Sequence, residues 1–169
     1  MSTYELTREA AFRGALREGR LLNWEPSRAA EKSSRIIAGP ENVVGRLDRP
    51  WGDGNDALEI RRQKVLAACS AFVEGKTPVR ILFKSLSRKK RVAEMRVLAP
   101  KPGVRLVGCF LDDAVFVVFG IYFREEIDWR GNRSPGPSAL LKWKDIKDKA
   151  EEDWAALFPY LTPVTPAGL

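Results

Sequence analysis

Three apolar runs separated by two turn signals fill residues 92–123, VAEMRVLAPKPGVRLVGCFLDDAVFVVFGIYF, in the second half of the chain. Side chains in 92–98 alternate between two faces, which is typical of a β-strand, and 104–111 forms a second apolar run. Residues 114–123 are almost wholly apolar, so we expect this strand to be central in a sheet or covered on both faces. The short connections predict that the three strands form an antiparallel meander.

Helical periodicity surrounds this stretch. We predict helices over residues 7–20, 26–38, 56–74 and 138–158, and we interpret residues 39–55 as an irregular linker because turn signals cluster there. The third helix is expected to begin with a capping-box-like Asp56–Glu59 pair and to end at Gly75. Residues 79–90 fit either a strand or a short helix followed by a basic turn.

The predicted elements define the fold class and a division of the chain. Helices packed on an antiparallel meander are an α+β fold. We predict an N-terminal helical extension with its loop over 1–54, an α+β domain over 55–160, and an extended tail over 161–169, where proline recurs.

The composition excludes several kinds of chemistry. The 169 residues contain no histidine and two cysteines, Cys69 and Cys109, each in apolar surroundings. Neither a Ser-His-Asp triad, nor a Cys-His pair, nor an ordinary structural zinc site is therefore available. We expect no metal ion and no cofactor, so an enzyme with this sequence has to use carboxylate, lysine, arginine or tyrosine side chains, or the backbone.

The sequence does not predict a membrane protein. No apolar run approaches the roughly 18 residues that a spanning helix needs. Residues 1–9 also lack the apolar core of a signal peptide. We therefore expect a cytoplasmic protein.

The positive charge is concentrated in one part of the chain. The net charge is +7, and residues 76–133 hold 13 of the 29 basic residues but 6 of the 22 acidic ones, so this segment accounts for the whole excess. A local excess of this kind attracts polyanions, and counterion release makes the attraction salt-dependent. Because the basic residues alternate with predicted strands, the pattern favours a shaped binding surface for RNA or another polyanion.

Three arginines are the candidate catalytic residues. Arg96 and Arg105 lie on neighbouring predicted strands, and Arg124 follows the apolar strand, so an antiparallel meander can bring them to one face. Guanidinium groups bind phosphate oxygens in bidentate fashion and can stabilise the charge that develops when a ribose 2′-hydroxyl attacks the neighbouring phosphate. The candidate RNA-binding residues around them are Lys84, Arg88, Lys89, Lys90, Arg91 and Lys101.

A structural role for the same arginines is the alternative. They can form surface ion pairs with acidic neighbours, which are Glu94, Glu125, Glu126 and Asp128. Tyr122 can act as an acid or base through its hydroxyl, or lie in the core.

At these positions the sequence resembles the RelE/ParE superfamily of bacterial toxins, particularly its HigB-like and phage-derived members. The stretch Val92-Ala93-Glu94-Met95-Arg96 is similar to the family's Glu-Leu-Arg strand, and Gly103-Val104-Arg105-Leu106 to its Tyr-Arg-Val-like strand. Residues 115–122 correspond to its long apolar strand, with the basic residue Arg124 after it. The resemblance covers roughly residues 60–125. HigB-like members usually carry a Lys-Lys pair where this chain has Arg124-Glu125.

The resemblance implies a metal-independent endoribonuclease that cleaves messenger RNA, often on the ribosome, and that an antitoxin protein neutralises. Two other functions remain open at this stage. One is a non-catalytic module that binds RNA or the ribosome, and the other is a phage or mobile-element domain that binds a protein partner through its apolar strand and its tryptophans. An exposed Trp51 or Trp129 would favour the protein partner. A gyrase poison is a variant of the toxin hypothesis.

Overall fold

The computed structural model describes residues 3–26, 34–52, 54–87, 89, 91–128, 141–167 and 169, with side chains described from Thr7 onward except at Asp128. Helices and strands alternate along them in the following order: α1 (Thr3–Arg17), β1 (Leu22–Trp24), β2 (Ile36–Gly39), α2 (Glu41–Asp48), α3 (Asp56–Val73), α4 (Val79–Leu82), β3 (Phe83–Ser87), β4 (Val92–Val97), β5 (Val104–Phe110), β6 (Val115–Phe123), a 3-10 turn (Arg124–Glu126), β7 (Ile127–Asp128), β8 (Leu141–Lys142) and α5 (Trp143–Leu157).

The predicted meander is the centre of the sheet. Strands β4, β5 and β6 pair antiparallel, with Arg96 opposite Arg105 and Arg105 opposite Tyr122. Strand β3 extends the sheet on one side, while β2 and β1 extend it on the other, in the order β1–β2–β6–β5–β4–β3. The α+β fold class and the antiparallel meander are therefore confirmed.

Strand β2 corrects the prediction of a helix over 26–38. Residues 27–33 lie outside the described part of the chain, but Ile36–Gly39 is a strand that pairs parallel with β6 and antiparallel with β1. The β-branched Ile36 and Ile37 suit a strand between two neighbours. The segment before residue 54 thus supplies two strands of the common sheet. The sheet contains strands from both sides of the predicted domain boundary at residue 54.

Helices cover both faces of the sheet. Helices α2 and α3 pack on one face, where Phe72, Phe83, Phe110 and Phe116 contact one another with ring centroids 4.7–6.2 Å apart. Helices α1 and α5 pack on the other face, around Val107 and Val117. Strand β6 is apolar on both faces because each face meets a helical layer.

The other three predicted helices are present as α1, α3 and α5, and the predictions were less accurate at their ends. Helix α3 runs Asp56–Val73, close to the predicted 56–74, and Gly75 has a positive φ of 70° after it. Its N-cap is Asn55, whose Oδ1 accepts hydrogen bonds from the amides of Ala57 and Leu58, so the predicted Asp56 cap was wrong. Residues 79–90 contain both a short helix and a strand.

The predicted linker over 39–55 contains a helix. In α2, the buried residues Val43, Val44 and Leu47 pack against the sheet, and Pro40 is the N-cap. The glycine and proline residues that suggested a linker lie mainly at the ends of this helix, where they are compatible with it.

The C-terminal part of the chain packs against the sheet at several points. Helix α5 begins at Trp143. Residues 129–140, which include the first three residues of the predicted helix over 138–158, lie outside the described residues. In the predicted extended tail, Val164 forms a β-bridge with Phe110, and Trp154 Nε1 donates to the carbonyl of Leu161. None of the described helices is long and apolar enough to cross a membrane.

Candidate nucleic-acid interface

The register of the meander brings two of the predicted arginines side by side. Arg96 and Arg105 are direct partners across β4 and β5, and paired residues in a sheet project to the same face. Glu94 lies two residues before Arg96. Lys84 on β3 is the direct cross-strand partner of Glu94. Arg96, Arg105, Glu94 and Lys84 therefore share one face of the sheet, and we call them, with Arg124, the Glu94 cluster.

Glu94 and Arg105 form the buried centre of this cluster. Their relative exposures are 5% and 9%, and Arg105 Nε lies 3.0 Å from Glu94 Oε2. The angle does not give a hydrogen bond, so Oε2 is buried without a hydrogen-bond partner among the described residues. Arg105 Nη1 donates instead to its neighbouring carbonyl, that of Val104, at 3.0 Å. A buried carboxyl with an unsatisfied oxygen is uncommon and marks a candidate functional group.

Burial controls the protonation of both groups. It raises the pKa of Glu94 above its usual value, and the opposing pull of Arg105, Arg96, Lys84 and Arg124 is smaller. Burial also lowers the pKa of Arg105, more than the attraction of Glu94 raises it. Desolvation therefore exceeds ion pairing on both sides of this pair.

Arg96 is more accessible to a ligand than Arg105 is. Its side chain is half-buried, and its Nε atom is buried without a hydrogen-bond partner in the described structure. Lys84 beside it is exposed. A phosphate oxygen placed between the two can accept charge-assisted hydrogen bonds from both.

Arg124 closes the cluster at the end of β6. It is half-buried, its amide donates to the carbonyl of Gly103 at 2.8 Å, and its Nη1 donates to the carbonyl of Ile127 at 3.1 Å. The bond to Gly103 ties the end of β6 to the β4–β5 turn, and the bond to Ile127 stays within the segment that follows β6. Lys101 lies in the β4–β5 turn and is exposed, and its role in binding stays a prediction.

Two other members of the predicted RNA-binding set lie elsewhere. Lys89 and Arg91 belong to the β3–β4 turn at the opposite end of β4, and Arg91 and Arg96 are five steps apart along the extended chain, roughly 17 Å. Arg91 Nη1 donates to the carbonyl of Pro163 at 2.7 Å, which ties this turn to the C-terminal tail. Arg88 and Lys90 lie outside the described residues. The predicted single basic surface is therefore divided between two ends of the sheet.

The predicted ion pairs form only in part. Arg105 pairs with Glu94, whereas Glu125 pairs with Arg61, and Glu126 accepts a hydrogen bond from the amide of Phe123. The side chain of Asp128 is not described.

Tyr122 is half-buried against the α1 and α5 side of the core, as the structural alternative predicted. Burial, with a smaller contribution from Asp153, raises the pKa of its phenol.

Sequence reasoning treated Glu94 as an ion-pair partner and missed its central position. One signal was available, since Glu94 is the single acidic residue within β4, β5 and β6. A lone carboxylate in three apolar strands needs a specific reason to be there.

The described residues contain no group of three or more histidine, cysteine, aspartate or glutamate side chains placed to hold a metal ion. No family model, curated protein or solved structure matches this chain. The resemblance to the RelE/ParE toxins therefore stays a prediction.

Proposed function

We propose that this chain is a toxin-like endoribonuclease that binds single-stranded RNA at the Glu94 cluster. The observation that carries the proposal is a buried carboxyl with one oxygen that lacks a hydrogen-bond partner among the described residues, placed among four basic side chains. Burial raises the pKa of this carboxyl. A carboxyl whose pKa moves toward neutrality is suited to act as a general base, and cationic groups beside it favour a phosphate ligand.

The proposed reaction uses groups that RNA and the cluster already contain. Glu94 accepts the proton of a ribose 2′-hydroxyl, and the 2′ oxygen attacks the neighbouring phosphorus. The bond to the 5′ oxygen of the next nucleotide breaks, and that oxygen takes a proton from solvent. The products are a 2′,3′-cyclic phosphate and a 5′-hydroxyl. Arg96, Lys84 and Arg124 stabilise the charge on the phosphorane.

We assign a different role to Arg105 from the one its position in the sequence suggested. At 9% exposure and 3.0 Å from Glu94, it faces the carboxyl and not the solvent. Arg105 is therefore a positioning residue in the proposed mechanism, and the phosphate contacts belong to the more accessible side chains.

Binding without cleavage is the second candidate function. The 5% exposure of Glu94 favours it, because a general base has to come within hydrogen-bond distance of the 2′-hydroxyl. In that case Arg96, Lys84, Lys101 and Arg124 hold RNA or ribosomal RNA, and Glu94 keeps the arginines in place.

The toxin context follows from the resemblance and is proposed with the activity. Cleavage of messenger RNA would arrest growth in the cytoplasm of a bacterial host, and a protein antitoxin would be needed to restrain it.

The deciding experiment is cleavage of a short single-stranded RNA by purified protein in the presence of EDTA. The wild type should produce a 2′,3′-cyclic phosphate end, and one 2′-deoxy substitution should abolish cleavage at that site. Glu94→Gln and Arg96→Ala should both lose cleavage, while Arg13→Ala should not, because Arg13 is an exposed arginine on α1 that pairs with Glu9.

Each outcome has a distinct meaning. RNA binding that Arg96→Ala weakens, with no cleavage by well-folded wild type, would replace the enzyme by the binding module. If the wild type neither binds nor cleaves RNA, RNA is rejected as the ligand. Induced expression of the same variants in a bacterium, followed by growth and messenger RNA integrity, tests the toxin context.

A further inference from the structure

A cavity of about 450 Å³ lies on the other face of the sheet from the Glu94 cluster. It is open to solvent and is lined by one side of α2, the loop from Arg49 to Gly52, the start of α3 at Leu58, and Phe123 at the end of β6. Its volume lies within the range of about 300–1,000 Å³ that is usual for small-molecule sites. None of the predicted catalytic or RNA-binding residues that the structure describes lines it.

The aromatic part of the cavity is held in a fixed arrangement. The rings of Trp51 and Phe123 meet edge to face, 5.3 Å apart at 89°. Trp51 Nε1 donates to the carbonyl of Arg46 at 2.7 Å, which fastens the loop to α2. Trp51 is 5% exposed, so it forms a wall of the cavity and does not project as a partner-binding anchor.

Arg46 presents a preformed cationic plane at this wall. Its guanidinium lies 5.7 Å from the centre of the Trp51 ring and 5.5 Å from that of Phe123. Its Nη1 donates to the carbonyl of Ile121 at 3.0 Å. These contacts fix the guanidinium while the side chain remains exposed, so a planar ligand can stack on it without ordering it first.

The described lining of the cavity holds two arginines, Arg46 and Arg49, and one carboxylate, that of Glu41, so its net charge is positive. Neither Arg46 nor Arg49 forms an ion pair there, whereas nearby Arg61 pairs with Glu125. Arg49 is exposed at the rim. Asn42, also in the lining, offers an amide donor and acceptor for the polar edge of a ligand.

We propose that this cavity binds a nucleotide. A nucleobase supplies the planar face that stacks on Arg46 and the aromatic wall, and a phosphate supplies the anion for Arg49. The nucleotide can come from solution or from an RNA strand, because both present the same base, sugar and phosphate. The inference is independent of cleavage at the Glu94 cluster, since the two sites lie on opposite faces of the sheet.

Gly45 offers a direct way to fill the cavity. It lies within α2 and lines the cavity, and a Cβ built on it meets no atom within 4 Å. Gly45→Leu therefore places a side chain at the cavity wall without a clash at its Cβ, and leucine is a better helix former than glycine. Gly14→Leu on α1 is the matched control, because a Cβ at Gly14 is equally unobstructed and Gly14 lies outside the cavity.

The experiment measures binding of adenosine 5′-monophosphate to the full chain by isothermal titration calorimetry, with inorganic phosphate as a second probe. We expect saturable binding by wild type and by Gly14→Leu, weakened about tenfold or more in Gly45→Leu, which occupies the space of the base. Arg49→Ala should also weaken the binding of adenosine monophosphate. All variants should bind inorganic phosphate more weakly than they bind the nucleotide. If Gly45→Leu fails to fold, Arg49→Ala still tests the proposal, because it truncates an exposed side chain.

A single-stranded RNA oligonucleotide distinguishes the two sources of the nucleotide. If the oligonucleotide binds more tightly than the mononucleotide and Gly45→Leu weakens both, the cavity is a subsite for an RNA strand. If it binds no more tightly, the cavity takes free nucleotides. The proposal is overturned if wild type shows no saturable binding of adenosine monophosphate up to about 10 mM, or if Gly45→Leu and Arg49→Ala bind it as wild type does.

Discussion

Two glutamate–arginine pairs in this molecule behave in opposite ways. In α3, Glu59 and Arg62 pair one helical turn apart at 2.8 Å, and Glu59 remains 35% exposed at its side chain. Across β4 and β5, Glu94 and Arg105 approach to 3.0 Å, and Glu94 is 6% exposed at its side chain. The pKa of Glu59 falls to about 2, while the pKa of Glu94 rises.

The difference comes from water and hydrogen bonding and not from distance. The main cause of the lowered pKa of Glu59 is its side-chain hydrogen bonding with Arg62, followed by that with Gln63. Glu94 loses its hydration and keeps one oxygen without a hydrogen bond in the described structure. A pair of the same chemical type is thus a structural contact on the helix and a candidate reactive group in the sheet.

The largest expected effect separates the two glutamates by activity. If the proposed function is correct, Glu94→Gln should reduce RNA cleavage by about 10²–10⁴-fold, because the amide cannot accept the 2′-hydroxyl proton. Glu59→Gln should cleave at the wild-type rate, since Glu59 lies on α3, on the other face of the sheet. Single-turnover cleavage rates of the two variants test this, and equal rates would remove Glu94 from the mechanism.

The next effect separates the two arginines by stability. Arg105→Met should lower the free energy of unfolding by about 3–5 kcal/mol at neutral pH, because it leaves the Glu94 charge buried without its nearest partner. Arg62→Met should lower the free energy of unfolding by about 1–2 kcal/mol, because Arg62 loses its hydrogen bonds to Glu59 and to the Leu47 carbonyl. The loss is smaller than for Arg105→Met because water can solvate Glu59. Urea unfolding followed by tryptophan fluorescence measures both, and equal losses would contradict the comparison.

The fold was predictable from sequence where its signals are local. Strands β4 to β6 follow from apolar runs and short turns, and α3 from its apolar stripe, all of which lie within neighbouring residues. Strand β2 was missed because Ile36–Gly39 is a strand only through its pairing with β6, far away in the sequence. Such long-range contacts override local propensity.

The candidate site divides in the same way. The strand order places Arg96 beside Arg105, so their proximity could be predicted from the meander alone. The burial of Glu94 depends on what covers the sheet at that point, and no periodicity in residues 92–98 contains that information. The cavity beside Trp51 could not be predicted because α2 forms part of its lining. Helix α2 lies in residues 39–55, where the turn signals predicted a linker.

A third test removes the buried pair without leaving a charge behind. The double variant Glu94→Met with Arg105→Met should be as stable as wild type or up to about 4 kcal/mol more stable, because apolar side chains of similar volume need no desolvation of charge. It should also lose the proposed cleavage. Urea unfolding and the cleavage assay on one preparation check both parts, and a double variant as unstable as Arg105→Met would show that the pair stabilises the fold.

The smallest expected effect is the pH dependence of stability, in which the two glutamates should have opposite signs. The pKa of Glu59 is lower in the folded state, so its contribution is complete above its ordinary pKa of 4.5 and is lost as the pH falls toward about 2. The stability difference between wild type and Glu59→Gln should therefore shrink as the pH falls from 4.5 toward 2. The pKa of Glu94 is higher in the folded state, so its contribution is lost as the pH rises above 4.5 through the raised value.

Relative to wild type, Glu94→Gln should therefore gain stability as the pH rises above 4.5, whereas Glu59→Gln should have reached its full deficit by that pH. Urea unfolding of the three proteins at a series of pH values from 3 to 7 measures both trends against one reference. If both variants changed in the same direction with pH, desolvation would not dominate at Glu94, and the carboxyl would be an ordinary ion-pair partner of Arg105. The general-base role would then lose its physical basis, because that role requires a pKa moved toward neutrality.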